Sequence, residues 1–110
     1  MTSVSCLVGI QQMRALCKGT AMNIKYKLSD TVEWMLSDDY RVRLKGEYWQ
    51  LVIRLEGLRR YLHENFIKYG KEEYFQLMMK QFGLMKDYKL LLEERCKGVI
   101  DLDNDDVALL

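Results

Sequence analysis

Tyr40, Arg43, Lys45, Tyr48, Trp49 and Arg54 are the side chains of this 110-residue sequence best equipped to do chemistry. Guanidinium forks grip phosphate or carboxylate through two parallel hydrogen bonds. Flat aromatic faces stack on nucleobases. The matching ligand class is anionic and ring-bearing. Arg43, Glu47, Gln50 and Arg54 recur at steps of four, three and four, so they share one stripe of a helix. Lys45 and Trp49 lie across the apolar seam from that stripe, and a single site using all six residues draws on two subunits. The bland alternative is a solvated face on which Arg43 pairs with Glu47 and Gln50 bonds Arg54.

Catalytic constellations are absent from the pattern. No glycine-rich phosphate loop, nucleophile elbow or HExxH motif occurs. Adjacent carboxylates such as Asp38-Asp39 and Glu93-Glu94 diverge by about 100° on a helix and read as a cap and a solvated face. His63 is the single histidine, set among Arg59, Arg60 and Glu64, and reads as a surface residue. Cys6, Cys17 and Cys96 lack metal-ligand spacing and read as free thiols. The expectation is a non-enzymatic binding protein with no cofactor and no metal.

The elements that must position these residues are helices. No proline occurs in the chain, which fits long helices with few turns. Leu44, Tyr48, Leu51, Leu55, Leu58 and Leu62 recur at alternating steps of four and three, the seam of a helix packed on another helix. Ser37 or Asp38 is the expected N-cap of this helix, and Gly70 its left-handed C-cap. A second helix over 71–97 presents Tyr74, Leu77, Met78, Phe82, Met85, Tyr88, Leu91, Leu92 and Cys96 inward, and stops at Gly98. So short a turn makes the two helices antiparallel neighbours. Gly46 and Gly57, inside the first helix, mark either close approach of another element or a tolerated surface position.

Asp30 to Leu36 reads as a short preceding helix, with Asp30 as N-cap and Glu33 in the capping-box position. Val32, Met35 and Leu36 are expected to face inward, with Trp34 as a lid over the core. Residues 25–28 alternate and read as an extended linker. The expected fold class is all-α: a long antiparallel αα-hairpin with a short N-terminal helical segment, assembling into a helical bundle. The expected divisions are an N-terminal extension over 1–29, with a loosely attached helix around residues 8–17, a hairpin domain over 30–100, and an acidic tail over 101–110.

Trp49, Val52, Ile53 and Phe75, with Leu84 and Leu90, lie off the hairpin seam and find no obvious cover, so a homo-oligomer is expected. The formal net charge is only +1, which disfavours nucleic acid as the partner. Residues 41–71 are locally basic and the tail acidic, an arrangement that steers an anionic ligand or screens the hairpin without one. The apolar run at residues 1–10 ends at Gln11 and Gln12, too short for a signal peptide. No segment approaches the roughly 20 apolar residues of a membrane span.

The stretch DYRVRLKGEYWQLVIRLEGLRRYL, Asp39 to Leu62, resembles a family of small phage proteins named after a crAss-like phage gene product. The pattern runs through Asp39, Tyr40, Arg43, Glu47, Tyr48, Gln50, Leu51, Arg54, Leu58 and Leu62. The second helix shares a Met85–Tyr88 step and a late Glu94–Arg95 pair. The resemblance covers roughly residues 34–102. It departs at Gly46 and Gly57, where helix formers are usual, and in the absence of a proline-containing turn. It implies a phage or prophage source, the host cytoplasm as the place of action, and an anti-defence role. In size and hairpin architecture the chain is also similar to anti-CBASS sponges, which hold nucleotide signals between hairpins. The resemblance therefore implies capture of a cyclic or ADP-ribose-like nucleotide. The competing expectation is an anti-CRISPR-like inhibitor that caps a host defence protein.

Overall fold

The computed structural model describes residues 24–101 and 106–107. Most of them lie in three helices: α1 (Leu28–Met35), α2 (Tyr40–Tyr69) and α3 (Glu73–Cys96). Two two-residue strands follow, β1 (Ile100–Asp101) and β2 (Asp106–Val107), paired antiparallel with Ile100 opposite Val107. The architecture is all-α, and α2 and α3 form the expected antiparallel hairpin. The described chain measures 51 × 24 × 22 Å, the long dimension being set by the 30-residue α2. The expected helix around residues 8–17 lies outside the described residues.

Each helix start is one to three residues from the sequence expectation, and the caps explain the offsets. Asp30 is not the N-cap of α1. It sits in the first turn and accepts the Lys27 backbone N–H at 2.9 Å, so the helix opens at Leu28. Asp39, rather than Ser37 or Asp38, caps α2, accepting the Arg41 backbone N–H at 2.9 Å. Ser37 serves one step further out, its hydroxyl accepting the Asp39 N–H at 3.1 Å. Gly70 ends α2 in right-handed geometry (φ −59°), not the expected left-handed one, and its N–H bonds the Phe66 carbonyl at 2.8 Å. A methyl group at Gly70 would run into that carbonyl, which is why glycine suits the turn. Gly98, after α3, does take the left-handed conformation (φ 75°).

The core has two adjoining parts. Near the hairpin turn, Leu55 and Leu62 of α2 pack with Phe75, Met79 and Phe82 of α3. Toward the open end, Leu44, Tyr48, Trp49, Leu51 and Val52 pack with Leu92 and Cys96. Met85 contacts both parts. Trp49, Val52 and Phe75 are therefore internal, against the expectation that they lack cover, and Ile53 is half-buried. Ile24, Tyr26 and Trp34 pack against this part of the core, and the Tyr26 ring lies edge-on to Trp49 at 5.2 Å. Two of these lie in the stretch expected to be extension.

α3 is rotated from the inner face expected of it. Phe75 and Met79 are buried, whereas Tyr74, Leu77 and Leu91 are exposed, and Tyr88 is 40% exposed. Two apolar stripes run along this helix, and only one can face α2. The bulkier one, with two phenylalanines, fills the space there.

α1 docks through Thr31 and Trp34, three residues apart on one face, and not through Val32, Met35 and Leu36, which are exposed. Thr31 is fully buried because its hydroxyl donates to the Leu28 carbonyl at 2.7 Å, leaving no unmet donor. Gly46 sets the docking. A Cβ built there would lie 3.0 Å from Trp34 Cβ and 3.1 Å from the Met35 backbone nitrogen. Gly57, by contrast, faces open space. Trp34 is the lid the sequence suggests, edge-on to Tyr26 at 4.8 Å.

Candidate ligand-binding face

One long side of the hairpin is left uncovered by α1. On α2 this side carries Tyr40, Arg43, Glu47, Gln50, Arg54 and Tyr61, the polar stripe read from the sequence and its continuation. On α3 it carries Leu77, Leu84, Tyr88 and Leu91. The Tyr88 hydroxyl donates to Glu47 Oε1 and joins the two stripes. Glu47 is thus engaged with α3, and Arg43 is not paired with it as the solvated-face alternative requires. Arg43 instead donates from Nη1 to the Ser37 carbonyl at 2.8 Å, bracing the α1–α2 turn.

Tyr40, Arg43 and Arg54 are exposed and share this face. The other three expected site residues are elsewhere. Tyr48 and Trp49 are core residues, 5% and 7% exposed, with no free ring face to offer a base. Their rings pack edge-on at 5.4 Å. The Tyr48 hydroxyl reaches Glu93 at 3.4 Å, and Lys89 closes on the same Glu93 oxygen at 3.0 Å. Lys45 lies on the α1 side, its ammonium 4.5 Å from the Trp34 ring centre and 5.5 Å from that of Tyr26. Cation–π attraction of this kind clamps α1 onto α2. The sequence pattern cannot make this division, because a tyrosine or tryptophan at a seam position serves core and stacking platform equally well.

A cleft that the motif reading missed lies at the hairpin turn. Its volume is about 140 Å³, and Tyr61, Tyr69, Glu72, Tyr74, Phe75 and Met78 line it. Tyr61 and Tyr74 stand exposed at its rim, with the fully buried Phe75 at its floor, 6.4 Å from Tyr61 between ring centres. Aromatic walls beside a carboxylate suit a flat ring carrying hydrogen-bond donors. The signal for it was present: Tyr61 continues the stripe seven residues beyond Arg54. Nothing local, however, brings Tyr61 and Tyr74 together except the hairpin itself.

Two carboxylates, one within α2 and one at its cap, have pKa values lowered by neighbouring arginines. Glu56 is buried and takes both Nε and Nη2 of Arg59, at 2.8 and 2.7 Å, which lowers its pKa against the opposing effect of burial. Asp39 is lowered by the side-chain and backbone hydrogen bonds from Arg41. Both act in structure, one as a buried pair and one as a helix cap. Cys96 is a buried free thiol whose pKa burial raises, so it is a poor nucleophile. Among the described residues, no three His, Cys, Asp or Glu side chains converge as a metal site, and no helix is long and apolar enough to cross a membrane.

The fold is an elongated helical hairpin that exposes Tyr40, Arg43, Arg54 and Tyr61 on α2. The chain belongs to the Sequestin family, whose model matches residues 38–97. The matched span opens one residue before the α2 cap, Asp39, and closes one residue after α3, so it takes in the whole hairpin and leaves out α1. Neither a search of curated proteins nor one of solved structures finds a match.

Proposed function

We propose that this chain is a phage-encoded sequestering protein that withdraws a host defence signal by binding it, without converting it. The proposed ligand is an anionic, ring-bearing molecule of the nucleotide class, cyclic or ADP-ribose-like. The observation that carries this reading is the coincidence of the family match with the α2–α3 hairpin, whose uncovered side bears Tyr40, Arg43, Arg54 and the tyrosine cleft. The family's name denotes sequestration, and stoichiometric capture requires affinity but no catalytic group. Arg54, about 10 Å along α2 from Tyr61, takes phosphate oxygens while Tyr61 and Tyr74 take a base, and Arg43, about 27 Å along the same helix, serves that site only from a second copy.

A nucleotide panel read by thermal shift tests the proposal. A ligand at 100 times its Kd stabilises the fold by roughly 2.7 kcal/mol. Arg43→Ala, Tyr40→Ala and Tyr74→Ala are expected to remove the shift while circular dichroism keeps its helical signal. Recovery of the bound molecule unchanged after denaturation separates capture from turnover. If no nucleotide moves the melting curve and Arg43→Ala still blocks host defence, the sponge reading fails. The capping of a host protein then takes its place, favoured by the exposed leucines of α3.

A further inference from the structure

The turn of the hairpin holds a charged side chain that the fold does not use. Glu72 stands at the N-cap of α3, where a cap side chain ordinarily accepts a backbone N–H of the first turn, yet it makes no capping bond. Its backbone is tied on both sides. The N–H donates to the Tyr69 carbonyl at 2.9 Å, and the carbonyl accepts the Gln76 N–H at 3.0 Å. The Gln76 side chain donates from Nε2 to the Gly70 carbonyl at 2.9 Å and braces the same turn. Among the described residues, no hydrogen bond or ion pair engages the Glu72 carboxylate. The cleft that Glu72 lines is otherwise walled by tyrosines, Phe75 and Met78. A carboxylate on a braced turn, beside such walls, is placed to accept hydrogen bonds from a guest.

We propose that Glu72 reads the base of the captured nucleotide and selects one that carries an exocyclic amino group, adenine or guanine. This specificity rests on the nucleotide-class reading above and deepens it. Size comes first. The cleft volume of about 140 Å³ is well below the roughly 300–1,000 Å³ of sites that enclose a whole ligand, so it takes one ring system and leaves sugar and phosphates outside. Phe75 closes the floor, Tyr61 and Tyr74 stand at the rim, and a ring entering between them lies against aromatic faces. Its polar edge then meets Glu72. An ionised carboxylate accepts hydrogen bonds and donates none. Adenine offers it the N6 amino group, and guanine offers the N2 amino group beside N1–H. Hypoxanthine has no amino group; where adenine carries N6 it has a carbonyl oxygen, whose lone pairs would face the carboxylate.

A small cation is the other guest that aromatic walls and a carboxylate suit. The charges near the cleft oppose it. The Lys68 ammonium already lies 5.1 Å from the centre of the Tyr69 ring, and the exposed Lys71 adjoins Glu72 in the chain. These lysines, with Arg54 roughly two turns of α2 from Tyr61, favour phosphates outside the cleft and disfavour a cation within it. Every residue in this reading belongs to one hairpin, so the choice of base needs no second copy.

Titrations with ADP, GDP and IDP, followed by NMR of the tyrosine rings, test the proposal. GDP and IDP differ only by the guanine amino group. ADP or GDP is expected to bind about tenfold more tightly than IDP, the worth of one hydrogen bond to a charged group at an open rim, and to move the Tyr61 and Tyr74 signals. Whichever of the two binds better names the ring. Glu72→Gln keeps the shape of the side chain at an exposed position and offers one donor and one acceptor. It is expected to admit IDP as readily as ADP, so the ratio of the two Kd values falls toward one. Loss of the negative charge alone would strengthen all three nucleotides alike and leave that ratio unchanged. Equal binding of the three to the wild-type chain overturns the base reading and leaves nucleotide capture standing. A preference that survives Glu72→Gln overturns the role of Glu72. Tetramethylammonium bound in preference to all three overturns the base as the guest. If no nucleotide binds, the nucleotide-class reading fails and takes this specificity with it.

Discussion

Substituting alanine at Gly46 and at Gly57 should have opposite consequences, although both glycines lie in the interior of α2. In a helix, Gly is about 1 kcal/mol less favourable than Ala, mainly through the backbone freedom it loses on folding. At Gly57 a Cβ meets nothing within 4 Å, so the alanine variant should keep most of that gain, about 0.5–1 kcal/mol. At Gly46 the new methyl would sit 3.0 Å from Trp34 Cβ and 3.1 Å from the Met35 nitrogen. The nitrogen belongs to the α1 backbone and moves only with the helix. Forcing an extra methyl into packed structure costs about 1–3 kcal/mol, which cancels or exceeds the helical gain. The expected result for Gly46→Ala is between no change and about 2 kcal/mol of destabilisation, so the two variants should differ by about 1–3 kcal/mol. Urea melts followed by circular dichroism measure this difference. Fluorescence should report it too, because Trp34 must shift to admit the methyl. Equal stabilisation by both alanines would refute the argument, for it would mean that α1 does not dock at Gly46.

Leu55→Ala should cost about 2–5 kcal/mol, as a buried position between α2 and α3, and denaturant melts check it. Glu56 has a pKa lowered below its ordinary 4.5 in the folded chain, so its pairing with Arg59 contributes stability above that pH and loses it as pH falls through the folded value. Melting temperatures measured from pH 6 down to pH 3 should decline, and less steeply in Glu56→Gln. Arg59→Ala at neutral pH should be worse than Glu56→Gln, by about 1–3 kcal/mol, because it strands a buried carboxylate. Tyr48→Ala should lower the melting temperature by several degrees whereas Tyr40→Ala should barely change it, since only Tyr48 is in the core. Peptide mapping after brief alkylation at pH 7.5 should find Cys96 unmodified until denaturant is added.

Periodicity alone settles a good deal of this molecule. The alternating steps of four and three from Leu44 to Leu62 dictate a helix with one apolar seam, and the missing prolines leave it uninterrupted. The short segment between Tyr69 and Glu73 can only reverse the chain. The polar stripe of Arg43, Glu47, Gln50 and Arg54 follows from the same arithmetic. These features are local, because a helix of given sequence presents the same faces wherever it sits.

What arithmetic cannot settle is which face meets which neighbour. α3 carries two apolar stripes of similar period, and only packing volume against α2 assigns Phe75, Met79 and Phe82 to the core and Leu77, Leu84 and Leu91 to the surface. Trp49 and Tyr48 have the chemistry of a stacking site, yet contacts with Tyr26, Glu93 and each other consume them as core. Lys45 has the charge of a phosphate ligand, and the rings of Trp34 and Tyr26 hold it on the other side of the hairpin. The cleft between Tyr61 and Tyr74 exists only because residues thirteen apart are folded against each other. Residue type and spacing determine what each helix can offer; burial, which depends on the whole fold at once, decides what remains available to a ligand.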